Sequence, residues 1–226
     1  MFNKPESVRS TRDVEIRSGT VQLEGTLSLP SDAHGIVIFA HGSGSSRFSS
    51  RNRFVAAELQ RAHLATLLFD LLTREEEAID AQTAHLRFDI PLLARRLIDV
   101  AGWSAQQPDT RDLPIGLFGA STGGGAALVA TAQRQDQIAA VVSRGGRPDL
   151  AGDALPFVRA PTLLIVGSRD EPVIEMNQWA LDQLTCEKRL TIVPGASHLF
   201  EEPGTLEKVA RLATYWFLEH LHPAHV

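Results

Sequence analysis

Gly119-Ala120-Ser121-Thr122-Gly123 follows directly on the apolar run Ile115-Gly116-Leu117-Phe118 and runs into the small-residue stretch Ala126-Ala127-Leu128-Val129-Ala130. A G-x-S-x-G between a buried strand and a helix is the sequence form of a nucleophile elbow, a turn sharp enough to present the serine hydroxyl above the sheet. The turn forces unfavourable backbone angles on the serine, and the residues two positions to either side must lack bulk. Here those residues are Gly119 and Gly123. Gly124 and Gly125 follow, although each glycine inside a helix costs about 1 kcal/mol relative to alanine. Three at a helix start point to close backbone approach, either to neighbouring strands or to a ligand.

Outward from the elbow, the chain alternates between two patterns. Short apolar runs at 36–40, 65–69, 115–118, 138–142, 163–166 and 190–193 read as strands covered on both faces. Between them lies helical periodicity: Val55, Leu59 and Ala62 share a face, as do Leu93, Leu97 and Val100, and Val209, Leu212, Ala213 and Trp216. The beginning differs. Residues 14–17 and 21–29 alternate in polarity around Ser18-Gly19, which predicts an antiparallel hairpin with one wet face. The expected architecture is α/β: a mostly parallel central sheet, an N-terminal antiparallel hairpin and helices on both faces, within a single domain spanning 1–226. The polar segment 73–87, with Glu75-Glu76-Glu77, reads as a solvated helix carrying its charge outward, with a substrate lid as the alternative. Tyr215-Trp216-Phe217 reads as a terminal helix locked onto the sheet.

In an open parallel sheet, reactive groups gather where strands end at their carboxyl termini. Three candidates meet that test. Ser121 follows one strand, Asp170 lies in Gly167-Ser168-Arg169-Asp170 after the next but one, and His198 lies in Pro194-Gly195-Ala196-Ser197-His198 after the last. The order Ser, Asp, His and the room between them for intervening elements fit a catalytic triad. His198 would take the Ser121 proton, and Asp170 would fix the imidazole tautomer and stabilise the imidazolium. Asp149 is the rival acid, one strand earlier. Charge developing on the substrate oxygen needs fixed donors. These are assigned to the backbone N–H groups of Thr122 and of Ser43 in His41-Gly42-Ser43-Gly44-Ser45-Ser46, with Gly42 as the runner-up in that loop.

These elements together, with HGSGSS, GASTG, GSRDEP and GASHLFEEP, resemble the α/β-hydrolase superfamily across nearly the whole chain. More narrowly they resemble its dienelactone hydrolase-like branch, which includes hydrolase domains fused to phosphoribosyltransferases. The resemblance implies an α/β-hydrolase fold. True dienelactone hydrolases use a cysteine nucleophile, whereas this elbow holds Ser121, so a serine esterase is the expected activity. The short interval between Arg144 and Asp170 leaves no room for an inserted cap domain. The expected function is hydrolysis of a small ester, lactone or thioester through an acyl-enzyme, with no cofactor and no metal. The competing expectation is a hydrolase-fold receptor with negligible turnover.

Other features narrow the field. A net charge of −5 without a basic stripe gives no reason to expect nucleic acid. No apolar run approaches a membrane span, and the polar start carries no secretory signal, so a cytoplasmic location is the expectation. The single cysteine, Cys186, excludes an intramolecular disulfide. Arginines on the catalytic side, chiefly Arg47 and Arg144, could clamp an anionic substrate. His220, His222 and His225 resemble a metal cluster but fall in the tail, where structural indifference is expected. A dinucleotide-loop reading of the glycine run fails, because such a loop belongs to the first strand–helix unit.

Overall fold

The computed structural model describes residues 8–221. Its centre is one eight-stranded sheet in the order β1-β2-β4-β3-β5-β6-β7-β8. The hairpin β1 (Val8–Ser18) and β2 (Val21–Pro30) turns at Ser18–Val21, as the alternation predicts. β2 joins β4 (Leu64–Phe69) antiparallel, and β3 (Gly35–Ala40), β4, β5 (Ile115–Ala120), β6 (Ile138–Arg144), β7 (Thr162–Gly167) and β8 (Lys188–Val193) run parallel. This is the α/β architecture expected from the sequence.

Alternation along β3 separates two cores. Ile36, Ile38 and Ala40 face one layer, with Leu93 and Leu97 of α3 (Ile90–Ser104) and Ala126 and Ala127 of α4 (Thr122–Gln133). Val37 and Phe39 face the other, with Val55 and Leu59 of α1 (Ser50–Arg61) and Val209, Trp216 and Phe217 of α6 (Thr205–His220). Covering both faces forces the inner strands to be apolar at every position, which is why they read as unbroken runs. Of the three aromatics in α6, Trp216 and Phe217 are buried and Tyr215 is exposed.

β8 departs from expectation. Its apolar run predicts cover on both faces, yet it is an edge strand and Val193 is its one buried residue. Its apolar residues Leu190 and Ile192 stay partly wet because nothing pairs beyond them.

The segment 73–87 also departs from a simple solvated helix. α2 (Arg74–Thr83) opens with a capping box between Thr73 and Glu76. Glu76 also turns inward to the buried Arg96 guanidinium, with contacts of 2.6 and 2.7 Å. That pairing holds the Glu76 carboxyl below its ordinary range against the opposing effect of burial. Asp80 is buried and accepts from the backbone N–H groups of Leu86 and Arg87 and from the Arg87 side chain. The charge of this helix is therefore split between solvent and interior ties that fix it against α3. α5 (Glu171–Gln183) completes the helices.

Candidate active site

Ser121 occupies the single residue between β5 and α4, with φ 51° and ψ −124°. A non-glycine residue there carries strain that only the surrounding structure can hold. Its N–H donates to the Arg144 carbonyl at 3.3 Å, and its carbonyl accepts from the N–H groups of Gly124 at 2.9 Å and Arg147 at 3.0 Å. The flanking glycines admit no side chain. A Cβ on Gly123 would lie 2.3 Å from the Ala40 carbonyl oxygen, and one on Gly119 would lie 2.5 Å from that of Gly123. Gly124 and Gly125 are similarly crowded by Ser143 and Arg147, so protein packing accounts for the whole glycine run.

Asp170 and His198 meet because the ends of β7 and β8 are laced together. Ser168 N–H donates to the Val193 carbonyl, Arg169 N–H to the Ala196 carbonyl, and Gly195 N–H to Ser168 Oγ. Glu202 accepts from Ser197 N–H at 3.0 Å, which holds its carboxyl below the ordinary range. The result is a 2.6 Å contact between His198 Nδ1 and Asp170 Oδ2. Asp149 instead forms a forked pair with Arg147, at 2.7–3.1 Å.

Ser121 and His198 line one pocket of about 240 Å³, together with Arg51, Asn52 and Arg144. No hydrogen bond joins Ser121 Oγ to His198 among the described residues. Such a bond often tightens only in the substrate complex.

The loop after β3 forms the remaining wall. Gly42 lies against Ser121, and a Cβ at Gly42 would sit 3.0 Å from that of Ser121. Ser43 Oγ and Thr122 Oγ1 are 3.1 Å apart, which brings the two assigned donor residues together at the start of α4. His41 braces the loop. Its Nε2 accepts from Leu71 N–H at 2.9 Å, so the proton sits on Nδ1, which donates to the Gly42 carbonyl at 3.0 Å.

Burial pushes the His41 pKa below the ordinary histidine range, against smaller upward contributions from the Gly42 carbonyl and Asp70. The unfolded chain therefore takes up this proton below about pH 6.5, where the folded chain resists it, so stability falls as pH drops through that value. His41→Gln keeps an acceptor for Leu71 and removes the titration. The loss in Tm between pH 6.5 and 5 is expected to be smaller in that variant. An equal loss in both proteins would show that His41 does not set the slope.

The two arginines singled out by the sequence end differently. Arg47 is nearly buried and committed to structure: its guanidinium pairs with Asp70 and, at 2.7 Å, with Glu24, while its N–H donates to Asp70 Oδ1. Arg47 lines neither of the cavities that border the Gly42–Ser46 loop. Arg144 is different. It is buried in the pocket that Ser121 and His198 line, where desolvation first and Arg51 second press its pKa down to about 10.

His220 lies 3.7 Å from Glu187 and edge-on to Trp216, and His222 and His225 lie outside the described residues. Among the described residues no cluster of three potential metal ligands occurs. None of their helices is long and apolar enough to cross a membrane.

The sequence profile of the dienelactone hydrolase family matches residues 23–218. The chain belongs to the dienelactone hydrolase family. Its fold is that of a dienelactone hydrolase from Anabaena variabilis, 61% identical, with a TM-score of 0.93 over 96% of this chain and 100% of that one. Est1E from Butyrivibrio proteoclasticus, at 18% identity, shares the fold with a TM-score of 0.76 over 92% of this chain and 98% of its own. A Mycobacterium tuberculosis H37Rv protein, named provisionally as a phosphoribosyl transferase, is 61% identical over 209 residues, covering 92% of this chain and 46% of that protein. This dienelactone hydrolase family member thus spans about half the length of the curated relatives it matches. Family and fold make it a hydrolase by class.

Proposed function

We propose that the chain is a serine hydrolase that cleaves a small ester, lactone or thioester through an acyl-enzyme. The observation that carries this reading is a strained Ser121 sharing one pocket with His198, whose far nitrogen is bound to Asp170. In the mechanism, Ser121 Oγ attacks the acyl carbon as His198 takes its proton. His198 then returns the proton to the leaving oxygen or sulfur as the bond to the acyl carbon breaks. Water enters, gives its proton to His198 and releases the acid, restoring the serine hydroxyl. Asp170 holds the imidazole tautomer throughout. The Thr122 and Ser43 N–H groups receive the oxyanion at the start of α4, where the helix dipole adds to their effect.

The proposed reaction needs neither cofactor nor metal.

The test is turnover of p-nitrophenyl acetate together with covalent labelling of Ser121 by a fluorophosphonate. Both are expected. Folded protein that shows neither overturns the reading. Tight ligand binding with turnover slower than minutes would instead mark a hydrolase-fold receptor.

A further inference from the structure

Two cavities flank the Gly42–Ser46 loop and share Gly42, Ser43, Ser45 and Ser49 as their common wall. Their linings differ in chemistry. The smaller, catalytic one contains Ser121, His198 and two guanidinium groups. Arg144 donates from Nη2 to Asn52 Oδ1 at 3.3 Å and lies 5.8 Å from the Phe200 ring, and its buried Nε has no partner. Arg51 reaches the exposed Glu201 at 3.4 Å, and its Nε is likewise buried without a partner. Arg47, Arg87, Arg96 and Arg147 each pair with a carboxylate, as Arg51 does with Glu201 at the pocket rim, whereas Arg144 has none among the described residues. Burying Arg144 without a counter-ion is costly, and an anion bound in this pocket would offset that cost.

The second cavity, of about 530 Å³, holds neither the nucleophile nor the catalytic histidine. It carries the oxyanion residues Ser43 and Thr122 at one end and an apolar wall of Leu71, Leu72, Leu93 and Phe48. Glu77, Asp80 and Arg87 also line it; Arg87 is paired with Asp80, so the lining keeps the net negative charge of Glu77, which an acidic acyl chain would meet as like charge.

The proton's route assigns the two ends of the substrate. His198 must reach the leaving atom, so the leaving group occupies the cavity that His198 lines. The acyl chain then extends past the oxyanion donors into the other. We propose that the substrate is an ester or thioester whose leaving group carries an oxyanion, carboxylate or phosphate, held by Arg144 and Arg51, and whose uncharged acyl chain fills the larger cavity. This rests on the serine hydrolase reading. Chemically it adds no step: the C–O or C–S bond breaks, the leaving atom takes the proton from His198, and the anionic alcohol or thiol departs.

The experiment compares four aryl esters, with each kcat/KM divided by the rate of hydroxide hydrolysis. They are para-butyryloxybenzoate, its methyl ester, para-butyryloxyphenyl phosphate, and the half-ester of adipic acid with methyl para-hydroxybenzoate. At least one ester with an anionic leaving group is expected to exceed the neutral methyl ester by about tenfold or more, a typical return for a charge-assisted contact. The carboxylate and phosphate arms decide between those two groups. The adipate half-ester, charged on its acyl side, is expected to fall below the neutral ester.

Arg51→Gln and Arg144→Gln should each collapse the ratio of anionic to neutral ester. Should the buried Arg144 variant fail to fold, Arg51→Gln and inhibition of the wild-type protein by para-hydroxybenzoate carry the same test. A neutral ester that equals or beats both anionic ones overturns the proposal while leaving the hydrolase reading intact, provided Ser121 takes the fluorophosphonate. Absence of label and of all turnover removes the reading, and the proposal with it.

Discussion

Ser121→Ala is expected to lower kcat on p-nitrophenyl acetate by at least about 10⁴-fold and to abolish fluorophosphonate labelling, because no other group can form the acyl-enzyme. His198→Ala should cost a comparable factor. The double variant should be scarcely worse than either single one, since nucleophile and base act as one unit. Asp170→Asn leaves the geometry in place but presents an amide to His198 Nδ1, favouring the wrong tautomer, and is also expected to cost about 10⁴-fold. Asp149→Asn should change kcat by less than about threefold, since that carboxylate is taken by Arg147. A larger loss at Asp149 than at Asp170 would reassign the acid.

The same position offers a reading in stability. Ser121 sits at positive φ, where strain costs roughly 1–3 kcal/mol for any residue with a Cβ. Ser121→Gly is therefore expected to melt a few degrees above Ser121→Ala, although both are inactive. Equal melting temperatures would mean that the elbow stores no strain.

The parts of the fold legible in the sequence are those governed by local pattern. Apolar runs marked the strands because both sheet faces are covered, and Ser18-Gly19 marked the hairpin because a tight turn needs a residue such as Gly19, at φ 57°. Position in the sheet was not legible: the 190–193 run looks like the others, and only strand order reveals it as an edge. The chemistry divides the same way. Chain order placed Ser121, Asp170 and His198, since each must follow a strand. Whether an arginine is free or paired depends on groups distant in sequence. Arg47 meets Glu24 and Asp70, each 23 positions away, whereas Arg144 meets no carboxylate among the described residues. The inward turn of Glu76 and Asp80 was hidden for the same reason. Asn52, beside Arg144 in the pocket of Ser121 and His198, carried no signal beyond lying in α1 after the His41–Ser46 loop.

Gly123→Ala and Gly119→Ala are expected to be among the most disruptive single-methyl substitutions near the site. At Gly123 the added carbon meets the Ala40 and His41 carbonyl oxygens at 2.3 and 2.6 Å. At Gly119 it meets the Gly123 carbonyl oxygen and the Gly124 Cα, both at 2.5 Å. All four neighbours are backbone atoms, so no side chain can swing aside and relief requires β3, β5 and α4 to separate. The expected cost is about 3 kcal/mol or more, roughly 6–12 °C in Tm for a chain of this length. Gly102→Ala supplies the contrast. Gly102 lies within α3, and a Cβ there meets nothing within 4 Å. Alanine at that position should raise stability by about 0.5–1 kcal/mol through helix propensity and a less disordered unfolded chain. Protein that survives with Gly123→Ala should also lose kcat, because pushing α4 away from β3 parts Thr122 from Ser43 and widens the space meant for the oxyanion. Should Gly123→Ala match the wild type in both Tm and kcat, the contact between the elbow and the end of β3 does not set the geometry of the site.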